Sequence, residues 1–128
     1  GALADISAII VKYPDYHMYR GYGDGSTYLS TFYRNHLAYA GNPYLLDASA
    51  LMYLQFSGLE IPAATTDKML ADGTAVWLIP AGQEPFSIVN WYYRRQNGQL
   101  FDTGFRQAFG DNFIKVETTP SFDVYTHK

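Results

Sequence analysis

Three groups of residues in this 128-residue chain could do chemistry. The first is the glycine-rich run Gly21-Tyr-Gly-Asp-Gly-Ser26, set after an aromatic, strand-like stretch and before a helix-like one. Backbone N–H groups and a helix N-terminus at such a junction can hold a phosphate. The spacing is Gly-x-Gly-x-x-Ser, not the full dinucleotide fingerprint, and the carboxylate of Asp24 would repel an anion. A tight turn that needs small residues is the competing explanation. The second group is the loop carboxylates Asp15, Asp24 and Asp47. Asp24 and Asp47 fall near the expected carboxyl ends of strands, where open α/β sheets place their ligand crevice, and could meet a sugar hydroxyl or a metal. Asp47 is better placed to cap a helix. The third group is Trp91-Tyr92-Tyr93 followed by Arg94 and Arg95. Strand alternation puts Trp91 and Tyr93 on one face and Tyr92 on the other. Such a patch can stack a sugar, or sit at a membrane border with its arginines on lipid phosphates. It is also what a strand with one aromatic face in the core looks like. Tyr22, Asp24, Asp47, Trp91 and Arg94 are the expected ligand contacts.

Other chemistries find no support in the sequence. There is no cysteine, so disulfides, thiolate metal sites and cysteine nucleophiles are excluded. His17, His36 and His127 have no metal-ligand spacing, and no Gly-x-Ser-x-Gly elbow is present. A glycosidase needs two carboxyl groups at a set distance in space, which spacing along the chain does not show. The net charge is −3 and the basic residues stand singly or in pairs, which gives no nucleic-acid footprint. No catalytic residue, cofactor or metal is assigned. Aromatics reach 17%, with twelve tyrosines, whose apolar body and polar tip suit half-buried surfaces and sugar platforms.

The elements that would position these residues center on Ala75-Val-Trp-Leu-Ile79. Five apolar residues framed by Gly73 and Pro80 predict a strand covered on both faces. Leu3, Ile6, Ile10 and Tyr13 make a helical stripe stopped by Pro14, with a strand as the alternative because residues 9–11 are β-branched. Residues 17–22 read as a strand. Ser26 caps a helix over 27–40 that Gly41 and Pro43 end, and Asp47 caps another over 48–56 closed by Gly58. Thr65 or Thr66 caps a short helix over 67–71. Residues 86–93 read as a strand leading into a turn at Gln96–Gln99. Phe105, Ala108 and Phe109 give helical spacing within 101–113. Residues 114–118 and 122–125 alternate around Pro120 and predict a terminal hairpin or two short strands. Together these predict one α/β domain over residues 1–128. It would have three layers, a mostly parallel sheet flanked by helices, and antiparallel strands added at one edge. No run approaches the roughly 20 apolar residues of a membrane span.

Three stretches carry a resemblance. Residues 21–62, residues 71–88 and Leu100-Phe-Asp-Thr-Gly-Phe-Arg-Gln-Ala-Phe-Gly-Asp-Asn-Phe113 resemble the soluble C-terminal region of some bacterial polytopic glycosyltransferases that use polyprenyl-phosphate sugars. The likeness covers roughly residues 17–125 and rests on the order of elements and on phrases such as Leu46–Leu51 and Trp77–Pro80, none of them a catalytic motif. It implies a domain outside the cytoplasmic membrane, packed over the membrane-embedded part of the same chain. It implies a domain inert alone that shapes the site for an acceptor or a lipid-linked sugar. The initial Gly1 reads as a cleavage scar, in keeping with a domain cut from a longer protein. The alternative is a stand-alone module for carbohydrate or another small ligand, which would be cytoplasmic. A nucleotide- or phosphate-using enzyme built on Gly21–Ser26 ranks third.

Overall fold

The computed structural model describes residues 2–20, 54–88 and 98–128. Their elements are α1 (Ala2–Lys12), β1 (His17–Arg20), α2 (Ala63–Ala71), β2 (Ala75–Pro80), β3 (Ser87–Ile88), β4 (Gly98–Gln99), α3 (Thr103–Asn112), β5 (Phe113–Thr118) and β6 (Phe122–His127). The chain is mixed α/β. Its main sheet has the order β1-β2-β6-β5, and β3 and β4 form a separate two-stranded ribbon.

The strand at the center of the sequence is also central in the sheet. All five residues from Ala75 to Ile79 are buried. β1 runs parallel to β2, while β2–β6 and β5–β6 are antiparallel. The sheet among the described residues is therefore mixed, not mostly parallel. The cause is the terminal hairpin. It adds antiparallel strands at one edge, as expected, with β6 on β2; since β1–β2 is the one parallel pair of this sheet among the described residues, two of the three pairings are antiparallel. Its turn is closed by Thr119, whose N–H donates to the Phe122 carbonyl at 2.7 Å and whose Oγ1 accepts from the Phe122 N–H at 2.9 Å. The expected alternation fails in β5, where a bulge at Lys115–Glu117 breaks the register and Ile114 and Val116 lie half exposed on the sheet edge.

Alternation along β2 splits the core in two. Val76 and Leu78 join Met18, Phe122 and Val124 in a cluster with Ile6, Ile9 and Ile10 of α1. The helical stripe thus outweighs the β-branched run. Ala75 and Trp77 point the other way, into a cluster with Met69 of α2, Phe105 and Phe109 of α3, and Phe86, Ile88, Leu100 and Phe101 from the ribbon and its ends. Trp77 meets Phe86, Phe105, Phe109 and Phe113 edge-on, at centroid distances of 5.3 to 6.5 Å. Such edge contacts add to area burial because the positive ring edge meets a negative face.

Local chemistry sets two helix starts. α2 begins at Ala63, four residues before the expected Asp67. Pro62 occupies the N-cap with extended ψ, and its carbonyl accepts from Thr65 and Thr66, so Thr66 bonds back to Ala63 inside the helix instead of capping it. α3 is capped by Asp102, whose Oδ1 accepts from the Phe105 N–H at 2.7 Å. Of the predicted strand over 86–93, Ser87 and Ile88 pair with Gln99 and Gly98. Gly98 and Gln99 are strand, not turn. Phe86 and Phe101, at the two ends of this ribbon, both have φ of 67°, a region that costs a bulky residue about 1–3 kcal/mol. They are held there by the Leu100 N–H on the Phe86 carbonyl at 2.7 Å and the Phe101 N–H on Gln55 Oε1 at 2.7 Å.

Candidate functional site

The five expected ligand contacts, Tyr22, Asp24, Asp47, Trp91 and Arg94, lie outside the described residues, as do the glycine-rich run 21–26 and His36. The described residues instead assemble two polar sites that sequence spacing did not show. One cross-sheet row joins them. In register, Tyr19 of β1, Trp77 of β2, Tyr125 of β6 and Lys115 of β5 lie side by side. Tyr19 ends in the first site; Tyr125 and Lys115 belong to the second.

The first site is a hydrogen-bonded node around Asp72. The turn Asp72-Gly73-Thr74 links α2 to β2, and Asp72 Oδ1 accepts from both the N–H and the hydroxyl of Thr74 at 3.0 Å. Its Oδ2 accepts from Tyr19 Oη at 2.7 Å and lies 2.9 Å from His17 Nδ1. Burial pushes the Asp72 carboxyl up, but the donors from Tyr19, His17 and Thr74 together outweigh it and hold the group below its ordinary value. A carboxylate on His Nδ1 orients the ring, as in a catalytic dyad. Here both carboxylate oxygens are also committed to holding β1 to the α2–β2 turn. The node sits at the amino ends of the parallel strands, away from the carboxyl ends where such sheets place ligands. We read it as a clasp.

The second site is a cleft of about 430 Å³ between α3, the start of β5, Tyr125 and the turn at Glu84–Phe86. Phe109 and Phe113 stack at 4.8 Å and form one wall with Phe86 and Tyr125. Arg106, Lys115 and Lys128 bring three cations to it, against the one carboxylate of Glu84. Arg106 is held by Gln99 and Thr103 through its terminal nitrogens, while its Nε is buried without a hydrogen-bond partner. A buried donor left unpaired is costly. Lys115 stands 3.8 Å from Asp123, which is buried and takes 2.9 and 3.2 Å hydrogen bonds from Thr118 and from the Gly82 N–H. Burial, together with the charge of Asp123, raises the Tyr125 phenol above its usual value, so it stays a neutral donor. Aromatic faces with donors and cations at their rim suit a ring that carries polar or anionic groups.

Sequence reading missed Arg106, Lys115 and Lys128 because they are far apart in the chain and isolated in charge. The helical spacing of Phe105, Ala108 and Phe109 locates α3 but gives no sign of the cleft beside it. Among the described residues, no cluster of three His, Asp or Glu side chains could hold a metal. No helix among them is long and apolar enough to cross a membrane. Comparison with family models, with curated proteins and with solved structures finds no match to this chain.

Proposed function

We propose that the chain is a non-catalytic accessory domain of a membrane glycosyltransferase of the polyprenyl-phosphate-sugar type, and that its cleft helps recognize the acceptor or the lipid-linked sugar. The observation that carries this reading is the cleft itself, with four aromatic rings and three cations. The resemblance in sequence supplies the ligand class and the setting, the extracytoplasmic face of a bacterial membrane, over the membrane-embedded part of the same chain. In this reading the domain has three layers, with α1 over one face of the sheet and α2 and α3 over the other, in keeping with the two core clusters. Carbohydrate recognition by a stand-alone module is the second reading, favored by the same aromatic wall.

The test is a titration of the isotopically labeled protein with a hexose 1-phosphate, geranyl phosphate and a neutral methyl hexoside. Saturable shifts at Arg106, Phe109, Lys115 and Tyr125 with the phosphates, lost in Arg106→Gln and Lys115→Gln, are the expected result. Equal binding of the neutral sugar by wild type and both variants would leave only the carbohydrate module. An unresponsive cleft would remove both readings. Membrane fractionation of the native gene product tests the setting independently.

A further inference from the structure

On the opposite side of α3 from the cationic cleft lies a second, larger groove of about 810 Å³, with the opposite charge. One wall is a stripe of α2, Ala63, Thr66, Asp67 and Leu70, at the i, i+3, i+4, i+7 spacing of a single helix face. The other is the first half of α3, with Phe105 and Ala108. Ile61, Leu70, Phe101 and Phe105 give it an apolar floor, and Leu59 stands at its lip with 60% of its surface exposed. Its charged lining residues are Glu60, Asp67 and Asp102, all exposed; among the described residues no lysine, arginine or histidine lines it. Charge is thus segregated across one ten-residue helix, basic on one side and acidic on the other.

We propose that this groove is a docking site for a basic amphipathic helix of a partner protein. The shape and the charge each point to that occupant. The groove runs between two helices, and the small side chains of Ala63 and Ala108, with Gly104 beside them, let a third helix come close. Its floor is matched by apolar anchors at i, i+3, i+4 and i+7 of the incoming helix, the usual helix-in-groove arrangement. The carboxylates of Glu60 and Asp67 select lysine or arginine beside those anchors and repel acidic helices and anionic lipid surfaces. Asp102 adds to this field while its Oδ1 caps α3. The site is separate from the anion-suited cleft, so the two can be occupied together.

The probe is a synthetic helix with leucines at i, i+3, i+4 and i+7 and lysines on the flanking positions, compared with a twin carrying glutamates for the lysines. Binding is read by fluorescence anisotropy and by amide shifts of the whole labeled protein. The lysine helix should bind saturably, shift residues in 59–70 and 102–108, and leave Lys115 and Lys128 unmoved. The glutamate twin should not bind. Glu60→Lys combined with Asp67→Lys should weaken the lysine helix about tenfold and admit the glutamate helix, an inversion that general destabilization would not produce. Both residues are exposed, so a thermal melt unchanged from wild type certifies the variant. Four results would each overturn the proposal: equal binding of the two helices, no binding of either, the same shifts with spermidine alone, or the same shifts on concentrating the protein without peptide. The third would make the groove a small-cation site, and the fourth a contact between two copies of this chain.

Discussion

The rings of Tyr19 and Trp77 stack across the parallel β1–β2 pair, with centroids 4.8 Å apart and planes 17° from parallel. This contact links the Asp72 clasp to the aromatic core, because the hydroxyl of Tyr19 donates to Asp72 while its ring lies on Trp77. Trp77 is 1% exposed and meets four phenylalanines besides. Trp77→Ala should therefore cost about 3–5 kcal/mol, measured by urea denaturation. Trp77→Phe should cost clearly less, since the indole Nε1 is buried without a partner and its removal relieves an unpaired donor. Equal losses in both variants would show that the indole nitrogen is satisfied in solution.

The clasp should appear in the acid limb of stability. The folded-state value of Asp72 is lowered, so its contribution is fully present above the ordinary carboxylate value of 3.8 and is lost as pH falls through the lower folded value. Asp72→Asn should lower stability at neutral pH and flatten the dependence on pH below about 4. Tyr19→Phe, which removes one donor and keeps the ring, should cost about 1 kcal/mol at neutral pH and flatten the same limb only in part. Thermal melts from pH 2 to pH 7 check both. An acid limb unchanged in Asp72→Asn would assign the lowered carboxyl to another residue, of which Asp5, held down by Ser121, is the first to test.

How much of this was legible in the sequence depends on the range of the interaction. Helix α1, the Ala75–Ile79 strand and the terminal hairpin follow from local period and turn chemistry, and all three stand where these predict. The placement of β6 beside β2 does not follow, because a hairpin can add to either side of a strand and only the packing of Val124 and Phe122 under α1 decides it. The clasp pairs residues 53 and 55 positions apart, and nothing in the Asp72-Gly73-Thr74 turn says which strand its carboxylate will meet. The cleft's cations come from α3, β5 and the residue after β6, so each reads singly as a solvated surface charge. The aromatic patch at Trp91–Arg95 drew attention because its residues are adjacent, which is the only kind of cluster a sequence displays directly.

Two glycines separate backbone strain from packing. Gly82 has φ of 76° and Gly73 does not fall in that region, while a Cβ at either position would meet nothing within 4 Å. Gly82→Ala should cost about 1–2 kcal/mol through conformation alone. Gly73→Ala should be close to neutral. Chemical denaturation of the two variants gives the comparison directly, and similar losses in both would mean the turn at Ala81–Gln83 relaxes to accept a side chain.

The helix caps offer a prediction of a different kind, because Asp102 serves both α3 and the acidic groove. Asp102→Ala removes the acceptor for the Phe105 N–H and should cost about 1 kcal/mol, while Asp102→Ser should recover most of that. The serine variant keeps the cap and loses the charge. It should therefore fold nearly as stably as wild type yet bind the lysine helix more weakly, by an amount that shrinks with added salt.

Asp123 tests whether the cleft and the sheet are coupled. It is 5% exposed, and its carboxylate holds the Gly82 N–H and the Thr118 hydroxyl with Lys115 beside it. Asp123→Ala should cost about 1–3 kcal/mol, because two donors in the β5–β6 hairpin and the neighboring turn lose their acceptor. Asp123→Asn keeps one acceptor oxygen and should cost less. It also removes the counter-charge of Lys115, which leaves the lysine free to meet an anion in the cleft. If the cleft binds a sugar phosphate, Asp123→Asn should bind it more tightly than wild type despite being less stable. Weaker binding would mean that Asp123 is needed to hold Lys115 in place, and that the cleft depends on the order of the hairpin more than on its net charge.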